Sequence, residues 1–254
     1  MKTSNIEQVL SRVAVLPAAL AGLLGVGLAH AQAPSGSVLK EAENFWYVQG
    51  SLGAVKESHS DVSAKLSDFV QVSGASFFER GKTGSLVFGR QSFNEDGWVR
   101  DHPARFELEA WYGSAKRSAV RLGVLSAAPN DTVKARALMF NFLGRIADSD
   151  EKTKNLLPVW RTWFGAGIGY GKVNYPSATL SGCNCLRAAD SDAEMVVQAK
   201  LALERYIAQD TLLVAQAARV WLPGASFGPG SYPRTQYGDW GVTTYSVGLR
   251  MGFR

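Results

Sequence analysis

Six ionisable residues of this 254-residue chain fall where short alternating segments put polar side chains. Glu107 and Glu109 alternate with Phe106, Leu108, Ala110 and Tyr112, while Lys200 and Glu204 alternate with Val197, Ala199, Leu201 and Leu203. Arg250 sits between Leu249 and Met251. Arg219 joins the set if its segment turns Leu212, Val214 and Val220 to the apolar side. Successive side chains of a strand point to opposite faces, so each segment has one apolar face and one charged face. Three acids and three bases on the inner side of a closed sheet suit one of two tasks. They line a narrow ion path, or they pair and hydrogen-bond as a plug. Size favours the plug, because a small barrel has an interior just wide enough for side chains to fill.

Other chemistry has less support. Beyond the amino-terminal segment the histidines are His59, beside Ser58, Ser60 and Asp61, and His102, in Arg100-Asp-His-Pro103. Neither places a base beside a recognisable nucleophile, so no catalytic residues and no enzyme activity are expected. A lipid-modifying enzyme is the distant alternative. Two histidines without clustered acids or thiols do not make a metal site, and no cofactor is expected. Gly165-x-Gly167-x-Gly169 lies within a strand pattern rather than before a helix, so it is no phosphate loop. Cys183-Asn-Cys185 is the one thiol pair. In an oxidising setting it is a candidate disulfide, with pairing between two chains as the other option. A bridge across a single residue would be tight.

The elements that must position these residues are short. Eight segments of strand character lie at about 45–55, 83–91, 104–115, 133–146, 159–173, 194–206, 211–222 and 242–253. In the fifth, Phe164, Ala166, Ile168 and Tyr170 oppose Trp163 and a row of glycines, a pattern suited to crowded backbones. Their lengths match the roughly nine to eleven tilted residues that cross a hydrocarbon layer. The connections at 56–82, 116–132, 174–193 and 223–241 are long, and those at 92–103, 147–158 and 207–210 are shorter. That asymmetry is expected of a transmembrane barrel with exposed loops at one end. Segments 133–146 and 194–222 are rich in helix formers, and one amphipathic helix over 194–222 is the competing reading. Aromatics near the segment ends (Phe45, Trp46, Tyr47, Trp160, Tyr170, Trp221, Tyr245 and Phe253) are expected at the two water–lipid boundaries.

The amino end carries Lys2 and Arg12, an apolar stretch at 13–28, and Ala29-His30-Ala31 as a small-residue cleavage site. It reads as a signal peptide over 1–31, followed by a polar lead-in at 32–44 and a barrel domain at 45–254. Loss of Lys2, Arg12 and Glu7 takes the formal charge from +5 to +4. That is too slight for a nucleic-acid partner. No run of eighteen apolar residues follows, so an exported membrane protein of this sequence must satisfy its backbone by closing a sheet.

At the far end, Ser246-x-Gly248-x-x-Met251-x-Phe253 resembles the assembly signal of outer-membrane β-barrels. Together with the Gly-rich strand (Gly165 to Tyr170), Glu204-Arg-Tyr206 and Gly248-Leu-Arg250, it makes the chain similar to the OmpA-like and surface-antigen barrels of Gram-negative bacteria. The resemblance implies an all-β fold, an eight-stranded antiparallel transmembrane barrel of up-and-down meander form. It also implies location in the cell outer membrane, with outer-membrane lipid, the barrel-assembly machinery and an extracellular ligand at the loops as partners. The implied role is structural or surface-interacting; a narrow pore is the alternative. A lipocalin-like carrier, faintly suggested by Asn44-Phe-Trp-Tyr47, is more distant because lipocalins turn apolar residues inward.

Overall fold

The computed structural model describes residues 44–65, 67–92, 103–148, 160–180, 183–186, 189–190, 194–208, 210–226 and 234–253. The expected signal peptide, most of the expected lead-in, and His102 lie outside the described residues. The strands in chain order are β1 (Phe45–Val55), β2 (Ser58–Lys65), β3 (Gln71–Ser92), β4 (Ala104–Leu122), β5 (Leu125–Ala127), β6 (Asp131–Asp148), β7 (Trp160–Tyr175), β8 (Ala178–Leu180), β9 (Cys183–Leu186), β10 (Ala189–Asp190), β11 (Glu194–Ala208), β12 (Thr211–Leu222), β13 (Ala225–Ser226), β14 (Arg234–Tyr237) and β15 (Trp240–Phe253).

Eight of them close a ring. β1 pairs with β3, and β3, β4, β6, β7, β11, β12 and β15 then follow in chain order. β15 returns to β1, with every pairing antiparallel. This is the expected up-and-down barrel, and each expected segment lies within or nearly coincides with one of these strands. The helix alternative over 194–222 is excluded, since β11 and β12 form a hairpin paired from Val197↔Trp221 to Ala208↔Thr211. Helix propensity lost there because both neighbouring strands offer β12 a complete ladder of backbone partners, and in a closed sheet that ladder has no edge.

The outer wall is apolar over the middle of each strand. Across β4, β6 and β7 the register lines up Phe106–Phe142–Ala166, Leu108–Phe140–Ile168 and Ala110–Leu138–Tyr170 as three outward rows. On β1 and β15 the outward rows run from Trp46–Phe253 through Val48–Met251 and Gly50–Leu249 to Leu52–Val247. Ring contacts reinforce the end of the barrel near Trp46: Trp46 stacks on Phe88 at 5.1 Å, and Phe106 meets Phe142 at 5.3 Å in a tilted pair. Two of the expected boundary aromatics belong elsewhere. Phe45 and Tyr47 face inward and are buried, because they share the parity of Gln49 and not that of Trp46 and Val48.

Several connections read as loops are strand. The first long connection holds β2 and the first half of β3, which pair from Ser58↔Phe78 to Lys65↔Gln71. β14 then adds to β2 from the other side. The barrel wall therefore rises past the apolar rows. Alternation persists there, but the outward residues become polar, so the segment was legible as neither lipid-facing nor core-facing.

The interior is divided. Toward the loop end it is a dry core, with Trp111, Met139, Val173, Val196 and Val242 among its buried members. Phe78 packs against Trp240 at 4.8 Å, and the Tyr175 and Tyr237 rings stack at 4.0 Å. Toward the terminal end it is ionised.

Candidate functional site

Five of the six charged residues singled out in the sequence meet inside the ionised half. β4 supplies Glu107 and Glu109, β11 supplies Lys200 and Glu204, and β15 supplies Arg250. On the wall, β6 and β7 separate β4 from β11, so the contacts between those two strands cross the lumen. Lys200 Nζ donates to Glu107 Oε2 at 3.1 Å and to Glu109 Oε2 at 2.6 Å. Arg250 donates to Glu107 Oε1 at 3.2 Å and also pairs with Glu204. All five side chains are almost completely shielded from solvent.

Arg219 is not part of this network. Leu212, Val214 and Val220 point inward and are fully buried, which turns Arg219 out of the barrel, where its Nη1 donates to Thr243 Oγ1 at 2.9 Å. The reason is that β12 carries apolar residues on both parities, so alternation alone does not set its facing. Register does: Leu212 lies opposite Arg250, and Val214 lies opposite Glu204. Residues directly opposite in a ladder share a face, so both are lumenal.

Arg105 takes the place expected of Arg219. It donates to Glu204 across the axis and from Nε to Gln91 Oε1 at 3.1 Å. Its guanidinium lies 3.5 Å from the centre of the Trp163 ring. Arg105 precedes Glu107 by two positions, so the parity argument already contained it. Tyr47 also belongs here, donating to Glu107 Oε1 at 2.8 Å and lying beneath Arg250 at 4.3 Å. Gln49 accepts from Arg250 Nε at 3.0 Å, and Asn141 Nδ2 donates to Glu109 Oε2 at 2.7 Å. Neutral partners of this kind leave no charge signature in a sequence.

The result is a plug of three carboxylates and three cations, with Arg161, buried opposite Glu204, as a fourth cation that donates to the Tyr206 hydroxyl at 2.9 Å. Between Ser51, Thr83, Gln198, Lys200 and Gln216 lies a small cavity of about 10 Å³, room for about one water molecule. Asn141 also rests on Gly167, where any Cβ would overlap its Oδ1. Gly167→Ala is expected to push Asn141 off Glu109 and to cost about 1–3 kcal/mol by overpacking. A lowered urea midpoint for the variant checks this, and an unchanged midpoint refutes it.

A second polar cluster closes the loop end. Arg117 Nε donates to Asp131 Oδ1 at 3.0 Å, Nη1 to the Tyr237 hydroxyl at 2.7 Å, and Nη2 to the Pro176 carbonyl at 2.7 Å. One side chain thus ties β4 to β6, to β14 and to the chain leaving β7. Burial pushes the Tyr237 hydroxyl above the usual tyrosine range, against the lowering pull of Arg117.

The other sequence candidates are scattered. Ser246, Gly248, Met251 and Phe253 all lie on β15 at its seam with β1. Gly248 faces Ser51 so closely that a Cβ would overlap the Gly50 carbonyl. Met251 and Phe253 face outward, and Phe253 packs 6.4 Å from Phe88. His59 is exposed on β2 against Phe77. Cys183 and Cys185 fall on β9, but their side chains lie outside the described residues. Among the described residues, no group of His, Cys, Asp and Glu is placed to hold a metal ion.

No protein-family model matches the sequence, and a search of curated proteins finds no match either. Solved structures do resemble the fold. The outer membrane protein OprG from Pseudomonas aeruginosa is 12% identical, with a TM-score of 0.56, over 84% of this chain and 97% of that one. Neisserial surface protein A is 13% identical, with a TM-score of 0.44, over 82% of this chain and 97% of that one. Ail, the attachment invasion locus protein of Yersinia pestis, is 12% identical, with a TM-score of 0.28, over 82% and 98% of the two chains. In fold, then, this chain is an all-β, eight-stranded antiparallel barrel similar to that of OprG.

Proposed function

We propose that this chain is an integral outer-membrane protein acting as a structural and surface-interaction protein, with no catalytic mechanism. The observation that carries the reading is the inversion of its two faces. Apolar rows cover the outside of a closed sheet, while Arg105, Glu107, Glu109, Lys200, Glu204 and Arg250 turn to its axis. Water offers no reason to expose the rows of Phe140, Ile168 and Leu249 around the ring, whereas acyl chains do. OprG, which has a like fold, is described as an outer membrane protein. On this reading residues 1–31 direct export, and the segment from Ser246 to Phe253 engages the barrel-assembly machinery. An extracellular ligand meets the surface built by the connections at 56–82, 116–132, 174–193 and 223–241. The packed ion plug favours this role over a pore.

Cell fractionation and electrophoresis with and without boiling test the proposal. The full chain is expected in the outer-membrane fraction, with a mobility that changes on heating and no discrete conductance steps in planar bilayers. An aqueous-soluble monomer would overturn the membrane placement. Regular single-channel steps abolished by Lys200→Ala would overturn the plug in favour of a pore.

A further inference from the structure

We infer that the tip of the raised wall, built by the β2–β3 and β4–β5 hairpins, docks on a second lipid surface opposite the membrane that holds the barrel. The inference rests on the outer-membrane reading above and names a partner for two of its outer connections, 56–82 and 116–132. Phe69 and Val124 crown the two hairpins and are fully exposed, at 98% and 101%, while Val70 beside Phe69 is exposed at 48%. Each apolar side chain left standing in water costs free energy that an apolar partner would recover. By contrast Phe77, lower on the same wall, is 37% exposed and lies beneath Arg121 at 5.4 Å.

The two hairpins form one tip. β2 and β3 stay paired up to Lys65↔Gln71. The turn beyond is closed by Ser67 N donating to the Val70 carbonyl and by Phe69 N donating to Ser67 Oγ, both at 3.4 Å. Gly123 takes the left-handed conformation, at φ +56°, that turns β4 into β5. Its N–H donates to the Ser73 carbonyl at 3.2 Å, which ties the second hairpin to the first. The Val72 side chain lies beside Gly123. Val124, Val72, Val70 and Phe69 therefore follow one another along a single apolar crest.

Height, shape and charge select the partner. Lys82 is the first charged outward residue of β3 above Leu86 and Gly84. The eleven positions from Lys82 back to Gln71 make about 36 Å of strand, or about 25–29 Å of height at the usual barrel tilt. A headgroup layer is only about 5–8 Å thick, so the crest stands clear of its own membrane. Side chains exposed on every side are convex knobs. A protein partner needs a matched pocket for each, whereas a lipid surface admits apolar side chains at its headgroup–acyl boundary wherever they arrive. Lys65 and Asp68 carry opposite charges at the tip, and Arg121 is drawn over Phe77. The crest thus has no excess of acid to be repelled by lipid phosphates.

The test holds the full barrel in phosphatidylcholine nanodiscs and mixes it with sucrose-loaded phosphatidylcholine vesicles, which are then sedimented. Wild-type discs are expected to sediment with the vesicles and empty discs to remain in solution. F69S/V124S is expected to bind about tenfold or more weakly, the scale set by burying one large apolar side chain. E57Q/R80Q, which removes an exposed ion pair lower on the wall, is expected to bind as wild type does. Binding is expected to be the same at low and high salt, since no charge attraction drives it. Heat-modifiable mobility is scored on every sample, and Phe69→Ser alone replaces the double variant if that fails to fold. Inserted wild-type barrels that ignore the vesicles, or variants that bind equally, refute the lipid partner and leave the membrane placement standing. Discs that ignore vesicles but join one another through Phe69 and Val124 refute it in favour of a second copy of the chain. Wild-type chain that never inserts refutes the membrane placement and this inference with it.

Discussion

Replacing Glu204 with Gln is expected to destabilise the barrel by about 3–5 kcal/mol, the usual cost of breaking a buried ion pair by removing one partner. Glu204 is the shared acceptor of Arg105 and Arg250, and all three side chains have no exposure to solvent. A neutral amide keeps the volume but removes the charge that holds two guanidiniums together. Of these two, Arg250 retains Glu107 at 3.2 Å, whereas Arg105 is left with Gln91 and the Trp163 ring. The loss should therefore fall mostly on Arg105. Urea titration of lipid-inserted protein, read by the heat-modifiable band, measures it. Glu57→Gln is the matched control, because its pair with Arg80 is solvent-exposed on both sides, and such pairs contribute at most about 1 kcal/mol. A Glu204 variant as stable as that control would show that the plug is not ionic.

Phe140→Arg is the second large effect. Phe140 stands outward in the middle row between Leu108 and Ile168, where an arginine would face acyl chains at mid-depth, at a cost of about 2–4 kcal/mol. The inward neighbour of this row, Asn141, already accommodates charge by donating to Glu109. The two faces of one strand thus make opposite demands one residue apart. Thr132→Arg, outward on the same strand but above the apolar rows, is expected to have little effect. Insertion yield into vesicles separates the cases. If Phe140→Arg inserts as well as Thr132→Arg, the outer rows do not face lipid.

Much of this arrangement was legible in advance because alternation is local. The parity of Glu107 and Glu109 against Phe106 and Leu108 needs only the neighbouring residues, and it correctly assigned inner and outer faces on β4, β11 and β15. The same logic fails on β12, where Leu212 and Leu213, or Val220 and Trp221, suit either face. There the outcome for Arg219 depended on which residues of β11 and β15 lay opposite. Tyr47 and Phe45 show a related limit: their aromatic character suggested the lipid boundary, and only their parity with Gln49 marked them as lumenal. The extension of β3 back to Gln71 and its pairing with β2 turn mostly polar residues outward and small ones such as Ala64 inward, so it read as loop.

What the sequence alone determined was the number of barrel strands, their approximate limits and the outward face of most of them. These follow from a two-residue period that every strand repeats whatever its neighbours. Which charges meet, and where, was decided only by closure of the ring. Closure brings Lys200 of β11 across the axis to Glu107 and Glu109 of β4, a meeting of residues about ninety positions apart. It also separates a dry core around Trp111 and Trp240 from the ionised half beneath, because stagger between strands sets the height of each side chain along the axis. Height along an axis is a property of the assembled ring, and no single strand contains it.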